Sequence, residues 1–198
     1  MIIIGLTGSI AMGKSEVANI LRGEGLPVFD ADREVHALYD SGDGAILLRD
    51  LAPEAIVDGH VDRQRLSSLI VAEPHRLEQL EKIIHAEIAK RRKSFVATAE
   101  ANGHAMVVAD IPLLFEKAGD KEVDVTVVVS APSGLQRKRA LARPGMTADK
   151  LAMILKRQMP DAEKQQRADH VIHNTGTLAD LRNKTLAVLA AIRKEHRL

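Results

Sequence analysis

The chain has no cysteine and no tryptophan, and only one tyrosine and three phenylalanines among its 198 residues. Without cysteine there is no disulfide and no thiolate metal site, which excludes a secreted disulfide scaffold. So few aromatic rings leave little on which to stack bases, so single-stranded nucleic acid is not expected as a partner. Leu, Ile, Val, Ala and Met must fill the core, which suits a parallel sheet covered by helices. Neither sign of charge dominates: 28 Lys and Arg oppose 27 Asp and Glu, a formal net charge of +1. That balance creates no field to attract nucleic acid or an anionic membrane. Long apolar runs are missing too. None approaches a membrane span, and the opening run Met1–Ile4 lacks the basic leader and the length of a signal peptide. The expectation is a cytoplasmic monomer with a small-molecule substrate, no nucleic acid and no membrane.

What is present is a phosphate-binding pattern. Gly8-Ser9-Ile10-Ala11-Met12-Gly13-Lys14-Ser15 fits G-x-x-x-x-G-K-[ST] at every fixed position. A chance match in a chain of this length arises with a probability of about 1%. Context lowers it further: the strand-like run Ile2–Leu6 precedes the loop, and Val17, Ile20 and Leu21 mark one face of a helix after it. In such a loop Gly8 and Gly13 allow the tight turn, and successive N–H groups from Ala11, Met12, Gly13 and the residues after them face phosphate oxygens. The helix dipole points at the same anion. Lys14 supplies a cation for the β- and γ-phosphates and Ser15 a hydroxyl for Mg²⁺. The implied ligands are ATP and Mg²⁺.

Five β-rich runs alternate with helical patterns: Ile2–Leu6, Pro27–Phe29, Met106–Ala109, Val123–Val129 and His170–His173. This is an α/β alternation with a parallel sheet. Between the second and third runs, Leu66, Leu69 and Ile70 mark one helix, and Leu77, Leu80, Ile83, Ile84 and Ile88 a longer one. Between the fourth and fifth, Gln136–Ala142 and Ala148–Met159 read as two helices around an Arg143-Pro144-Gly145 turn, with Thr147 a cap for the second. Thr177 is placed to cap a C-terminal amphipathic helix. The domain reading is one domain. Its core covers about 1–45, 104–135 and 160–198, with a helical substrate-binding insertion at about 60–103 and a small helical lid at about 136–159.

In parallel α/β sheets functional residues collect at the carboxyl ends of strands. Asp30-Ala31-Asp32 ends the second run; if the strand continues that far, alternation puts both carboxylates on one side. Asp32 then reads either as a general base or as the N-cap of the next helix. Asp110 ends the third run and reads either as a Mg²⁺ ligand or as a cap before Pro112. Ile111–Phe115 is an apolar platform ending in Glu116, suited to a core or to a substrate's apolar arm. Arg139 and Arg143 lie four apart beside the lid turn, a pair suited to clamping phosphate. Lys90-Arg91-Arg92-Lys93 reads as a solvated helix face. His170 and His173 point to opposite faces of a strand and do not chelate. His85 lies near an apolar helix face and by itself reads as a packing residue.

Gly5-Leu6-Thr7-Gly8 with Gly13-Lys14-Ser15, Asp30-Ala31-Asp32, Val61-Asp62-Arg63, Leu77 through His85, and Asp110-Ile111-Pro112-Leu113-Leu114-Phe115-Glu116 occur here in one order. Gln136, Arg139, Arg143, Gln158, Glu163-Lys164, Ala168-Asp169, Ile172 and Asn174 follow. Together they resemble the dephospho-coenzyme A kinase family over essentially the whole chain. The resemblance implies a P-loop NTPase three-layer sandwich with a five-stranded parallel sheet, and transfer of the ATP γ-phosphoryl group to the ribose 3′-hydroxyl of dephospho-CoA. It further implies that Asp32 is the base, that Lys14, Arg139 and Arg143 assist the transfer, and that Gly8 and Ala11 through Glu16 hold ATP. Ser15 and Asp110 would hold Mg²⁺; Asp32, His85, Leu113, Leu114, Phe115 and Glu116 would meet dephospho-CoA. Several positions depart from the family's pattern. Glu16 stands where Thr is usual, Ala86 where Pro is usual, Ala11 and Met12 replace small residues and are expected to narrow the phosphate site, and Pro144 stiffens the lid turn. Another small-molecule or nucleoside monophosphate kinase is the competing reading. A GTPase-type switch is disfavoured, since no D-x-x-G follows the third strand and no N-K-x-D is present.

Overall fold

The computed structural model describes every residue, Met1–Leu198. Strands β1 (Ile2–Thr7) and β2 (Val28–Asp30) are followed by a two-residue pair, β3 (Ile56–Val57) and β4 (His60–Val61). Then come β5 (Met106–Asp110), β6 (Val125–Ser130) and β7 (His170–His173). The helices are α1 (Lys14–Gly23), α2 (Ala31–Asp40), α3 (Gly42–Leu48), α4 (Arg63–Ala72), α5 (Arg76–Ala101), α6 (Ser133–Leu141), α7 (Ala148–Arg157), α8 (Asp161–Arg167) and α9 (Leu178–Glu195).

The five longer strands form a parallel sheet in the order β2-β5-β1-β6-β7. β5 and β6 are buried at every residue, as their unbroken Val- and Ala-rich runs demand of strands covered on both faces. From central β1 the chain builds outward to β2 and β5 on one side and to β6 and β7 on the other. That reversal opens a crevice beyond the carboxyl end of β1, the place where open α/β sheets bind ligands. The Gly8–Ser15 loop begins there.

Backbone packing divides the chain into two units: Met1–Phe29 with Thr98–Leu198, and Asp30–Ala97. The first unit's core joins Ile4, Leu6, Val127 and Val129 of the sheet to Val17 and Leu21 of α1 and Leu181, Leu189 and Ile192 of α9. The second has its own cluster, with Leu38, Leu48, Val61, Leu66, Leu80 and Ile84 buried and Tyr39 packed at its edge. Because Leu38 and Leu48 belong to that cluster, α2 and α3 share a core with the helices expected over 60–103. The lid helices α6 and α7 belong to the first unit, where Ala140 and Leu151 pack on Ala11 of the loop.

Local signals explain the helix boundaries. The Thr147 hydroxyl accepts from Lys150 N–H at 3.2 Å, and Thr177 with Asp180 forms a reciprocal capping box. Helix α5 runs unbroken for 26 residues, as expected with Ala86 in place of a proline. Two expectations need correction, and one short element was not foreseen. The second strand stops at Asp30, whose side chain caps α2 by accepting from Arg33 N–H at 3.0 Å; Asp32 therefore lies in the first turn of α2 and is not the cap. The basic run 90–93 is not a wholly solvated face, since Arg91 is surrounded by Glu34, Asp43 and Glu87 and burial lowers the Arg92 pKa. The β3–β4 hairpin had a signal in the sequence, Asp58-Gly59, where both residues adopt positive φ of 49° and 78°.

Candidate active site

The phosphate loop is held open by its own backbone. Gly13 is the N-cap of α1 with φ of 99°, a conformation natural only to glycine, and a Cβ there would stand 2.1 Å from Asn174 Nδ2. Ala11 also has positive φ, 62°, an unusual and costly setting for a residue with a side chain. Gly8 runs against β6, where a Cβ would meet the Val129 carbonyl oxygen at 2.7 Å. The N–H groups of Gly13, Lys14 and Ser15 sit at the start of α1, where helix geometry provides no acceptor. None of them donates to a protein acceptor. Together with the dipole of α1 they form an anion cradle.

Met12 corrects an expectation. Its side chain is 1% exposed and turns into the core, where its sulfur accepts from Ala131 N–H at 3.0 Å. It does not narrow the phosphate site.

Lys14 Nζ pairs with the carboxylate of Asp110. Asp110 closes β5 in register with Leu6 of β1 and is 2% exposed. Its carboxylate faces the loop lysine. The Ser15 side chain is exposed and makes no protein hydrogen bond.

A cleft of about 290 Å³ beside the loop is lined by Ala11, Gly13, Glu16, Arg139, Arg143 and Asn174, with the start of α9. The two arginines differ. Arg139 donates from Nη1 to the Asn174 carbonyl and from Nη2 to Asn174 Oδ1, both at 3.3 Å. Arg143, just past the end of α6, is exposed and pairs with nothing. Glu16 adds an exposed, unpaired carboxylate to the same cleft.

The 111–116 stretch is mostly internal. Leu114 and Phe115 are 0% and 4% exposed, and the Arg167 guanidinium lies 4.9 Å above the Phe115 ring. Glu116 Oε1 accepts from Met159 N–H at 2.8 Å. It also stands 2.8 Å from the fully buried Lys164 ammonium, an ion pair outside hydrogen-bonding direction that leaves Glu116 Oε2 without a partner. Leu113, like Ile111 and Pro112 before it, keeps a partly exposed apolar side chain. Direct substrate contact by Leu114, Phe115 and Glu116 does not fit these surroundings.

Asp32 and His85 lie in the second unit. Asp32 is exposed and its carboxylate takes no hydrogen bond or ion pair, so Asp30 has the capping role and Asp32 is left free. His85 is exposed on α5, which overturns its reading as a packing residue. Asn174 and the two residues Gln136 and Gln158 were matched in sequence without a role. Asn174 had a usable signal in its position just past the carboxyl end of β7.

The dephospho-CoA kinase family model matches residues 2–180. A dephospho-CoA kinase of Brucella melitensis is 43% identical over 192 residues, covering 97% of this chain and 96% of the relative. One from Rhizobium meliloti is 45% identical over 193 residues, covering 98% and 99%. A crystal structure from Thermus thermophilus superposes with a TM-score of 0.82 at 38% identity, covering 96% of this chain and 97% of that one. A shikimate kinase from Acinetobacter baumannii shares the fold at a TM-score of 0.54 and 19% identity, covering 98% of this chain and 94% of that one. The phosphate loop, the acid that holds its lysine and the arginine-lined cleft thus stand in a chain that belongs, over nearly its whole length, to the dephospho-CoA kinase family.

Proposed function

We propose that this protein transfers the γ-phosphoryl group of ATP to the 3′-hydroxyl of the dephospho-CoA ribose, giving coenzyme A and ADP in the last step of coenzyme A biosynthesis. The observation that carries this reading is the near full-length identity of 43–45% to dephospho-CoA kinases. The competing reading as another small-molecule kinase has no comparable support.

The residues divide the work as phosphoryl transfer requires. The N–H groups of Gly13, Lys14 and Ser15 and the dipole of α1 bind the phosphates. Lys14 leaves or shares Asp110 to meet the β- and γ-phosphate oxygens. Arg143, with no protein partner, is free to neutralise charge that develops on the transferred group, and Arg139 is held beside the same cleft by Asn174. Asp32 takes the proton of the 3′-hydroxyl as its oxygen bonds to the γ-phosphorus and the bond to the β,γ-bridging oxygen breaks. Leu113 and His85 keep accessible side chains for dephospho-CoA.

Mg²⁺ suits the donors present. A free Ser15 hydroxyl and the Asp110 carboxylate are hard oxygen ligands, and this ion is usually held by one or two carboxylates together with substrate phosphates. When bound it neutralises phosphate charge. No helix is long and apolar enough to cross a membrane. A cytoplasmic monomer without nucleic-acid partners fits this role.

Purified protein with ATP, Mg²⁺ and dephospho-CoA should yield coenzyme A. Folded protein that binds ATP and makes none would overturn the acceptor assignment.

A further inference from the structure

The back of the phosphate loop is held by three side-chain amides. Gln136 Nε2 donates to the Ile10 carbonyl at 3.0 Å, and Gln158 Oε1 accepts from the Ile10 N–H, also at 3.0 Å. Asn174 Nδ2 donates to the Met12 carbonyl at 2.9 Å. Each backbone partner settles which way the amide faces, because a carbonyl takes only a donor and an N–H only an acceptor.

The placement of the two glutamines is the informative part. Gln136 lies in α6, and Gln158 is the C-cap of α7. They bracket the lid, so both of its stems are tied to the two backbone groups of one loop residue. Arg139, three residues past Gln136, is fixed by Asn174, which also holds Met12. Met159, next to Gln158, donates its N–H to Glu116, which anchors that stem to the segment after β5.

We infer that Gln136 and Gln158 are positioning residues for ATP. They fix the Ile10 peptide groups, and through them the neighbouring phosphate-facing N–H groups, in register with the lid arginines. An amide suits this task because it bonds a neutral backbone group without adding charge beside a polyanion. A loop carrying a positive-φ alanine at position 11 has competing, less strained conformations available, and the two glutamines oppose them.

This rests on the reading of the loop as the ATP site, and the test separates the two. ATP is titrated calorimetrically, and steady-state kinetics and thermal midpoints are measured for wild type and for Gln→Met and Gln→Glu at each position. Methionine keeps length and removes the hydrogen bond. The two glutamate substitutions differ: at 158 the carboxylate still accepts from Ile10 N–H, whereas at 136 it faces a carbonyl and has nothing to donate.

Both methionine variants should lose about tenfold in kcat/KM for ATP while KM for dephospho-CoA stays within about twofold. Gln158→Glu should recover to within about threefold of wild type, and Gln136→Glu should remain as low as Gln136→Met. Equal behaviour of glutamate at the two sites, or methionine variants with wild-type ATP kinetics, would overturn the proposal. Gln136 is buried, so if its variants fail to fold, the comparison of Met with Glu at the more exposed Gln158 decides. Wild-type protein that is folded and binds no ATP would remove the nucleotide site itself, and this inference with it.

Discussion

The ammonium of Lys14 is held by the carboxylate of Asp110, one at the start of α1 and the other at the end of the neighbouring strand β5. The pair keeps a cation extended toward the crevice at the centre of the sheet. It also couples the residue assigned to phosphate with the one assigned to metal. Lys14→Met and Asp110→Asn should each lower kcat/KM by about 100-fold or more. Because the two act through one contact, the double variant should lose clearly less than the product of the single losses. Independent, multiplicative losses in a kinetic double-mutant cycle would separate their roles.

Asp30 caps α2, and Asp32, two residues on, is the proposed base. Asp30→Ala should lower stability by about 1 kcal/mol through loss of the cap on α2, read as a shift in the denaturation midpoint. Asp32→Asn should keep the midpoint and ATP binding, and lower kcat by about 100-fold or more. Turnover at the wild-type rate would remove Asp32 as the base.

Arg143 has no partner to lose, so its removal should affect only the reaction. For Arg143→Ala we expect an unchanged melting temperature and a fall of about 10- to 100-fold in kcat/KM for ATP. Arg139→Ala also releases Asn174 and should loosen the phosphate loop, raising the calorimetric dissociation constant for ATP as well. If the two variants behave alike, the bonds from Arg139 to Asn174 carry no function.

Asp169 gives an acid-sensitive tie within the sheet. Burial alone would raise its pKa, but the Thr126 hydroxyl and N–H, each donating at 2.7 Å, and the neighbouring His170 outweigh that and hold it below the ordinary value. A carboxyl depressed by folding contributes stability above its unfolded pKa, about 3.9, and loses it as pH falls through the folded value. The stability gap between wild type and Asp169→Asn should therefore be open at about pH 5 and close below about pH 4. Urea denaturation at several pH values reads it; a gap that persists at pH values below the folded pKa would show that the contact does not depend on ionisation.

Much of this was legible because it is local or periodic. Unbroken Val and Ala runs marked β5 and β6, and Thr147 and Thr177 announced their helices at cap positions. The loop glycines and Lys14 signalled a phosphate site through spacing alone. What stayed hidden was long-range pairing. Nothing adjacent in sequence joins Gln158 to Ile10, 148 residues away, or Lys164 to Glu116. Leu114 and Phe115 have the composition of a substrate platform and of a core alike, and packing decided for the core. Asp32 was ambiguous because strand alternation and helix capping both fit Asp-Ala-Asp until the strand was seen to stop at Asp30.

Tyr39 is the chain's single tyrosine, and there is no tryptophan. Its ring packs at the edge of the cluster formed by Leu38, Leu48 and Leu66 in the Asp30–Ala97 unit. Tyrosine emission from this protein therefore originates in one ring within one unit. It is a built-in spectroscopic reporter that needs no label and no substitution. Followed alongside far-ultraviolet dichroism, which reads every helix, it would separate melting of the Asp30–Ala97 unit from that of the sheet and its nucleotide loop.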